Sequence, residues 1–342
     1  MANLSQNSVG IDYHSEVVQV CVLNGEGSVL LNERYPNDTE CIRQAIKQRG
    51  AASVVAVEAS TGSARFLEEL ATGEQWQSKL CHPGYVNRMR HNPDKSDHSD
   101  GELIADLARV GYLPEVWLAP ESVRDLRALV RYRYQLVRHT SAIKLRIRAM
   151  LREWRIKPTG KMNLWTSRGA AWLLAAADKL PCHSKWVMQR HLHELQNYVQ
   201  QVKQAEKQLA QVAKDDSVAT RLMSFKGIGL ITAMTLRAEI GDFHRFRSGK
   251  QLARFCGVTP RNASSGNRQA DAGLIKAGNP HLKTALIECS HLLCRYDARW
   301  KEFALRLLKA GKPKCVIVAA VVNRWVRWLY HQMVAPQTAV AA

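Results

Sequence analysis

Four carboxylates, Asp12, Glu58, Asp97 and Asp100, are the side chains whose types and spacing could do chemistry. Asp12 closes the first apolar run, Ser8–Asp12, and Glu58 closes a later one, Ser53–Glu58. Adjacent parallel strands bring their carboxyl ends side by side, so these two can converge although 46 positions apart. Asp97 and Asp100, three apart in a predicted helix, share one face. Clustered carboxylates repel and raise each other's pKa unless a cation neutralises them. Mg2+ suits such a set, because it takes oxygen ligands and keeps positions open for water and phosphate. Two such ions about 4 Å apart can activate an attacking oxygen and stabilise a leaving one in phosphodiester cleavage. Spacing alone leaves Asp97 equally readable as a helix N-cap.

A second constellation lies in the last third. Lys226-Gly227-Ile228-Gly229 reads as a helix-hairpin-helix-like turn, in which glycines let the backbone approach closely and helix amides hold a phosphate oxygen. An ordinary interhelical turn would look the same. Further on, Ser264-Ser265-Gly266 sits among Arg261, Arg268 and Lys276. Cations there could hold a phosphate and depress a hydroxyl's pKa, although none is an obvious base. Arg131, Arg138 and Arg146 belong to a stretch, 121–161, with twelve Lys or Arg against three acids. Such a face is either solvated or a phosphate contact, and in this chain we favour phosphate.

The elements needed to position these groups can be traced. Ser8–Asp12, Val17–Leu23 and Ser28–Tyr35 read as strands, the last two joined by an Asn-Gly-Glu-Gly turn. Asp38–Arg49 reads as a helix capped by Thr39 or Asp38. Ser53–Glu58 suits a central parallel strand, buried on both faces. Helix Ser63–Ala71, strand Gln77–Cys81 and helix Asp97–Val110 follow. A three-strand meander running into βαβ units is, by analogy, the ribonuclease-H-like topology. Next, Leu129, Leu136, Ile143 and Met150 recur every seven residues, with Leu126 and Ile147 beside them. Leu192, Leu195, Val199, Val202 and Leu209 form a second repeat. The pattern predicts two long helices as an antiparallel hairpin or an intermolecular coiled coil. The expected fold class is α/β plus α. It has a catalytic domain at 1–115, a helical coiled-coil region at 116–218, a mostly helical domain at 219–334 and a flexible tail at 335–342.

The whole chain constrains the partner. It has 342 residues with 49 Lys plus Arg against 30 Asp plus Glu, a net charge of +19 and a pI near 9.8. Such a surplus draws polyanions, and nucleic acid is the commonest inside a cell. No apolar core opens the chain as a secretory signal would, and the apolar runs are too short to span a bilayer. Eight cysteines without a C-x-x-C pair read as reduced core residues, and the expected location is the cytoplasm.

Gly10-Ile11-Asp12, Val57-Glu58-Ala59-Ser60-Thr61-Gly62 and Lys95-Ser96-Asp97-His98-Ser99-Asp100 together resemble the motifs of the DEDD transposases of the insertion-sequence-110 group, its 1111 branch and the Piv-type invertases. Phe225–Gly229, Leu252–Pro260 and Lys276-Ala277-Gly278 resemble the same family's C-terminal transposase domain. The resemblance implies a RuvC-like N-terminal domain, with Asp12, Glu58, Asp97 and Asp100 binding Mg2+, or Mn2+ in its place. It implies a serine nucleophile that links covalently to DNA, at Ser265, with the adjacent Ser264 as the alternative. It further implies transposition of an insertion sequence, a structured noncoding guide RNA pairing with donor and target DNA, and a homodimer assembling to a tetramer. The likeness runs from about Val9 to Leu329. Lys226 stands where proline is usual, and Ala64 and Arg65 replace an aromatic after the Thr-Gly of the glutamate motif.

Two rival classes carry different expectations. A junction resolvase would use the same carboxylates with water as nucleophile, but would lack the long C-terminal region. An actin-like ATPase also opens on Gly-Ile-Asp, yet needs glycines next to cradle phosphates; here Tyr13-His14-Ser15 follows.

Overall fold

The computed structural model of the chain describes residues 6–89, 97–262 and 271–335. The chain divides into two compact units, Met1–Ala119 and Pro120–Ala342.

In the first unit, β-branched runs alternate with polar turns and so form β1 (Asn7–Tyr13), β2 (Val17–Leu23) and β3 (Val29–Pro36). Asn24 closes the second turn by accepting from the amides of Glu26 and Ser28. Asp38, one of the two expected caps, accepts from the Glu40 and Cys41 amides and starts α1 (Thr39–Lys47). Then come β4 (Ala52–Glu58), α2 (Ser63–Leu70), β5 (Gln77–Cys81) and α3 (Pro83–Val86), with a 3-10 turn at Asn87–Met89. Helix α4 (Asp97–Arg109) and the two-residue strand β6 (Glu115–Val116) complete the unit. The sheet order is β3-β2-β1-β4-β5-β6, with β4 parallel to both β1 and β5 and the other pairs antiparallel. The meander and the parallel crossovers form a mixed, ribonuclease-H-like sheet. The short helix α3 and the strand β6 had no signal in the sequence. Strand β4 is apolar on both faces because both are covered: Val55 and Val57 pack with Phe66 and Leu67, and Val54 and Ala56 with Ile104 and Ala108.

The second unit is helix-rich. Two 33-residue helices, α5 (Glu121–Glu153) and α7 (Cys182–Lys214), flank α6 (Ser167–Ala177). Side-chain pairs Arg133–Glu206 and His139–Tyr198 run in opposite directions along the two long helices, so α5 and α7 pack antiparallel within one chain. On α5, Leu136, Ile143 and Ile147 are buried; on α7, Val199 is 36% exposed and its neighbour Tyr198 stacks on His139 of α5 instead. After them come α8 (Ser217–Met223), α9 (Leu230–Ile240), α10 (Gly249–Phe255) and a two-stranded ribbon, β7 (Pro260–Asn262) and β8 (Asp271–Leu274). Helices α11 (Pro280–Tyr296), α12 (Ala298–Lys309) and α13 (Lys314–Val334) follow. One apolar core, with Trp325 at 1% exposure, joins α8 to α13. Among the described residues, no helix is long and apolar enough to cross a membrane.

Charge separates sharply between the units. Residues 1–119 carry ten Lys and Arg against sixteen Asp and Glu, a net −6. Residues 120–342 carry thirty-nine against fourteen, a net +25.

Candidate active site

Strand register builds the first half of the site. Asp12 on β1 pairs with Gln19 on β2, and Gln19 pairs with Arg34 on β3. Cross-strand partners point to the same face, so the three form a row across the sheet. On the other side of β1, Ile11 is in register with Val57, which leaves Glu58 next to Asp12 at the ends of two parallel strands. Helix α4 lies on this face because Gly10 lets it in. A Cβ at Gly10 would stand 2.2 Å from the Gly101 carbonyl oxygen and 2.3 Å from the Ala105 amide. That close approach carries Asp97 and Asp100, in the first turn of α4, to the end of β1.

The resulting cluster is partly dry. Asp12 and Asp100 are buried, at 8% and 3% exposure. Burial pushes the Asp12 carboxyl above its ordinary value; His14 opposes this, while Asp100 and Asp97 raise it further. His14 Nε2 lies 3.4 Å from Asp12 and 4.0 Å from Asp97, whose other oxygen accepts from Arg34 at 2.7 Å. Glu58 shares a neighbour with Asp12: burial first, then the charges of Glu58 and Asp12, push the Cys81 thiol up to about 12. A shallow pocket of about 390 Å³ opens beside Asp97, lined by His14, Glu16, Gln19 and Arg34.

Ligand atoms of Asp12, His14 and Asp97 all lie within 4.8 Å of one another, close enough to share one cation. The donor set fits a divalent ion: carboxylates and an imidazole, with a buried acid whose charge lacks full compensation. His14 did not figure among the expected ligands. Its signal was present, since it lies two residues after Asp12 and a strand puts i and i+2 on one side. His98, beside Asp97, is exposed, and its carbonyl accepts from Asn32.

In the second unit, Gly227 sits in the left-handed region at φ 86 and its carbonyl accepts from the Cys289 thiol. Gly229 is the N-cap of α9 with open space around it, and Lys226 is exposed beside it. Arg138, Arg146, Arg261 and Lys276 are exposed. Arg131 instead grips Glu239 with two hydrogen bonds, of 2.8 and 2.9 Å. Glu239 is 2% exposed and also accepts from Asn279 at 2.6 Å, while the Asn279 side-chain oxygen caps α11. This network was not foreseen, because its members are 108 and 40 positions apart. Ser264, Ser265 and Arg268 lie outside the described residues; the ribbon of β7 and β8 flanks them.

Comparison with known proteins places both units. Residues 9–156 match a family model described as "Transposase", the DEDD type of IS110, and residues 219–305 one described as "Transposase IS116/IS110/IS902 family". The transposase for insertion sequence element IS1111A of Coxiella burnetii is 28% identical over 94% of this chain and 88% of its own length. A pilin gene-inverting protein of Moraxella bovis is 32% identical over 31% of this chain and 34% of its own. Among solved structures, T. thermophilus RuvC in complex with a Holliday junction substrate covers 32% of this chain and 99% of its own, at TM-score 0.27 and 13% identity. At that score the overlay adds nothing to the strand order.

Proposed function

We propose that this chain, which belongs to the insertion-sequence-110 family of transposases, moves its element by exchanging phosphodiester bonds with a divalent-metal centre in the first unit and a serine nucleophile in the second. The observation that carries the reading is the meeting of Asp12, His14, Asp97 and Asp100 at the end of β1, beside Glu58. A bound Mg2+ pair, or Mn2+, would polarise the phosphate and stabilise the charge that develops on its oxygens. Asp12, Glu58, Asp97 and Asp100 would hold it, with His14 as an added ligand, and Arg34 would fix Asp97 in place. Gly10 keeps α4 close enough for both of its aspartates to reach.

A transposase must rejoin what it cuts. Hydrolysis discards the energy of the phosphodiester, whereas attack by a serine hydroxyl exchanges one ester for another and keeps it. Ser265 Oγ would form the bond to phosphorus as the strand's own oxygen leaves, and attack by a second strand end would release the serine. Ser264 is the neighbouring alternative. Lys226, Gly227, Gly229, Arg261, Arg268 and Lys276 would hold the DNA backbone, and the cationic face of α5, with Arg138 and Arg146, a guide RNA. Sequence readout would then belong to base pairing. Homodimers assembling to a tetramer in the cytoplasm would supply the strand pairs.

The test is a recombination assay with the gene and its natural flanks beside a reporter. Asp12→Ala and Ser265→Ala are each expected to abolish junctions, and Ser264→Ala to leave them. Normal recombination by Ser265→Ala beside a dead Asp12→Ala would replace the serine by Ser264 or water. Calorimetry gives a readout independent of turnover: His14→Ala should weaken Mn2+ binding on the order of tenfold.

A further inference from the structure

Helices α12 and α13 enclose a cleft of about 590 Å³ that the preceding chemistry does not use. Its volume falls within the range of sites that hold one small ligand. Arg299, Arg306, Arg324 and Arg327 line it with His331, against a single acid, Glu302. All four arginines are exposed, and among the described residues none has a carboxylate within ion-pair distance. Four unpaired guanidiniums around one concavity repel one another, an arrangement that an anion would relieve.

The arginines are not merely loose surface charge. The Arg299 guanidinium lies 5.0 Å from the Trp300 ring and 5.9 Å from that of Trp328. Arg306 and Arg324 lie 5.2 and 4.3 Å from the Phe303 ring. Trp300 is only 6% exposed, and Trp328 is held edge-on by Phe225 at 5.6 Å, so these rings are fixed supports. A guanidinium laid on a fixed ring is pre-organised and loses little freedom when it binds. Its outer plane remains free to stack on a base, and its N–H groups to hold a phosphate.

We infer that the cleft between α12 and α13 binds one unpaired nucleotide of a single strand, its phosphate on the arginines and its base stacked on their ring-backed planes. A duplex does not fit this chemistry, because its base faces are already stacked inside and the cleft has room for about one nucleotide. The inference rests on the reading that this chain handles nucleic acid. Most of the cleft, from Arg306 onward, lies beyond the residues that match either family model. DNA and RNA share the required chemistry.

Binding of the full chain to labelled oligo-dT, oligo-U and a duplex of equal length tests this. Arg299→Gln/Arg324→Gln should weaken single-strand binding by roughly tenfold or more. It should lower the single-strand salt slope by about 1.4, and cost the duplex less than about threefold. Both side chains are exposed, so an unchanged Tm is expected. Trp328→Phe keeps a ring but removes its emission; the fluorescence quenched on strand binding in the parent chain should shrink in this variant. The tighter of the oligo-dT and oligo-U arms identifies the strand. Equal losses on single strand and duplex would overturn the site in favour of a general basic surface, as would intact single-strand binding by the double variant. A parent chain that binds no nucleic acid would overturn the proposed function as well, which separates the two failures.

Discussion

Glu239 is a carboxylate with 2% of its surface exposed, and its surroundings answer the cost of placing it there. Burial alone would push its carboxyl up, but the Arg131 hydrogen bond and charge, with Asn279 and Arg127, hold it below the ordinary value of 4.5. A folded value below the unfolded one means that stability is fully present above about pH 4.5 and is lost as the pH falls through the lower folded value. Acid unfolding of the parent chain should therefore steepen below pH 4.5, and Glu239→Gln should flatten that limb. Glu239→Ala, which strands Arg131, Arg127 and Asn279, should cost on the order of 3 kcal/mol in denaturant titrations. Single residues of this kind are where sequence reading ends. Asp12, Asp97 and Asp100 could be singled out because their motifs are local, and His14 lay within reach of strand alternation. Glu239 could not be, since nothing in an apolar helical stretch says which distant arginine will meet it.

At the scale of elements, α4 against β1 decides whether the carboxylates converge. Gly10→Ala sets a methyl against backbone atoms at 2.2 and 2.3 Å, which no side-chain rotation can relieve. We expect it to cost about 3 kcal/mol or more and to weaken divalent-ion binding with it. Gly101→Ala on the facing helix meets Gln19 Cγ at 3.4 Å, Cys21 Cβ at 3.5 Å and the Gly10 carbonyl oxygen at 3.7 Å, all ordinary contacts, and should be neutral or slightly stabilising by thermal melt. Apart from α3 and β6, which are only four and two residues long, the strands and helices of the first unit were legible because its runs are β-branched, bounded by turn residues and closed in short range. Helices α5 and α7 were legible as long amphipathic segments. The choice of Tyr198 over Val199 was not, because a straight helix drifts from a strict seven-residue repeat. The ribbon of β7 and β8 was missed because three or four residues are too short for an alternation to register.

Across the whole molecule the charges are partitioned: net −6 in the unit that holds Asp12, Glu58, Asp97 and Asp100, and net +25 elsewhere. The total of +19 conceals this, and only the boundary at Ala119 makes it visible. An acidic unit gains nothing from phosphate until a cation is bound, so polyanion attraction belongs to the second unit. Binding of structured RNA should accordingly fall steeply with salt. Arg138→Gln/Arg146→Gln should reduce the slope of log K against log salt by up to about 2, while Asp12→Ala leaves it unchanged.

The hydrogen bonds of Asn279 join regions that the chain order keeps apart. Its amide donates to the Phe255 carbonyl, its side-chain oxygen caps α11, and its side-chain nitrogen donates to Glu239, which Arg131 holds in turn. Lys283, one turn into α11, donates to the Ile275 carbonyl at the foot of the ribbon of β7 and β8. The anchorage of that ribbon is thus inherited from a guanidinium fork on α5. Recharging the basic face of α5 with lysines would preserve its pull on phosphate everywhere, yet at position 131 it would trade a two-pronged grip for a single point. For anyone redesigning this surface, Arg131 is a hinge pin, Arg127 and Arg133 are fastened to Glu239 and Glu206 beside it, and the exposed Arg138 and Arg146 are paint.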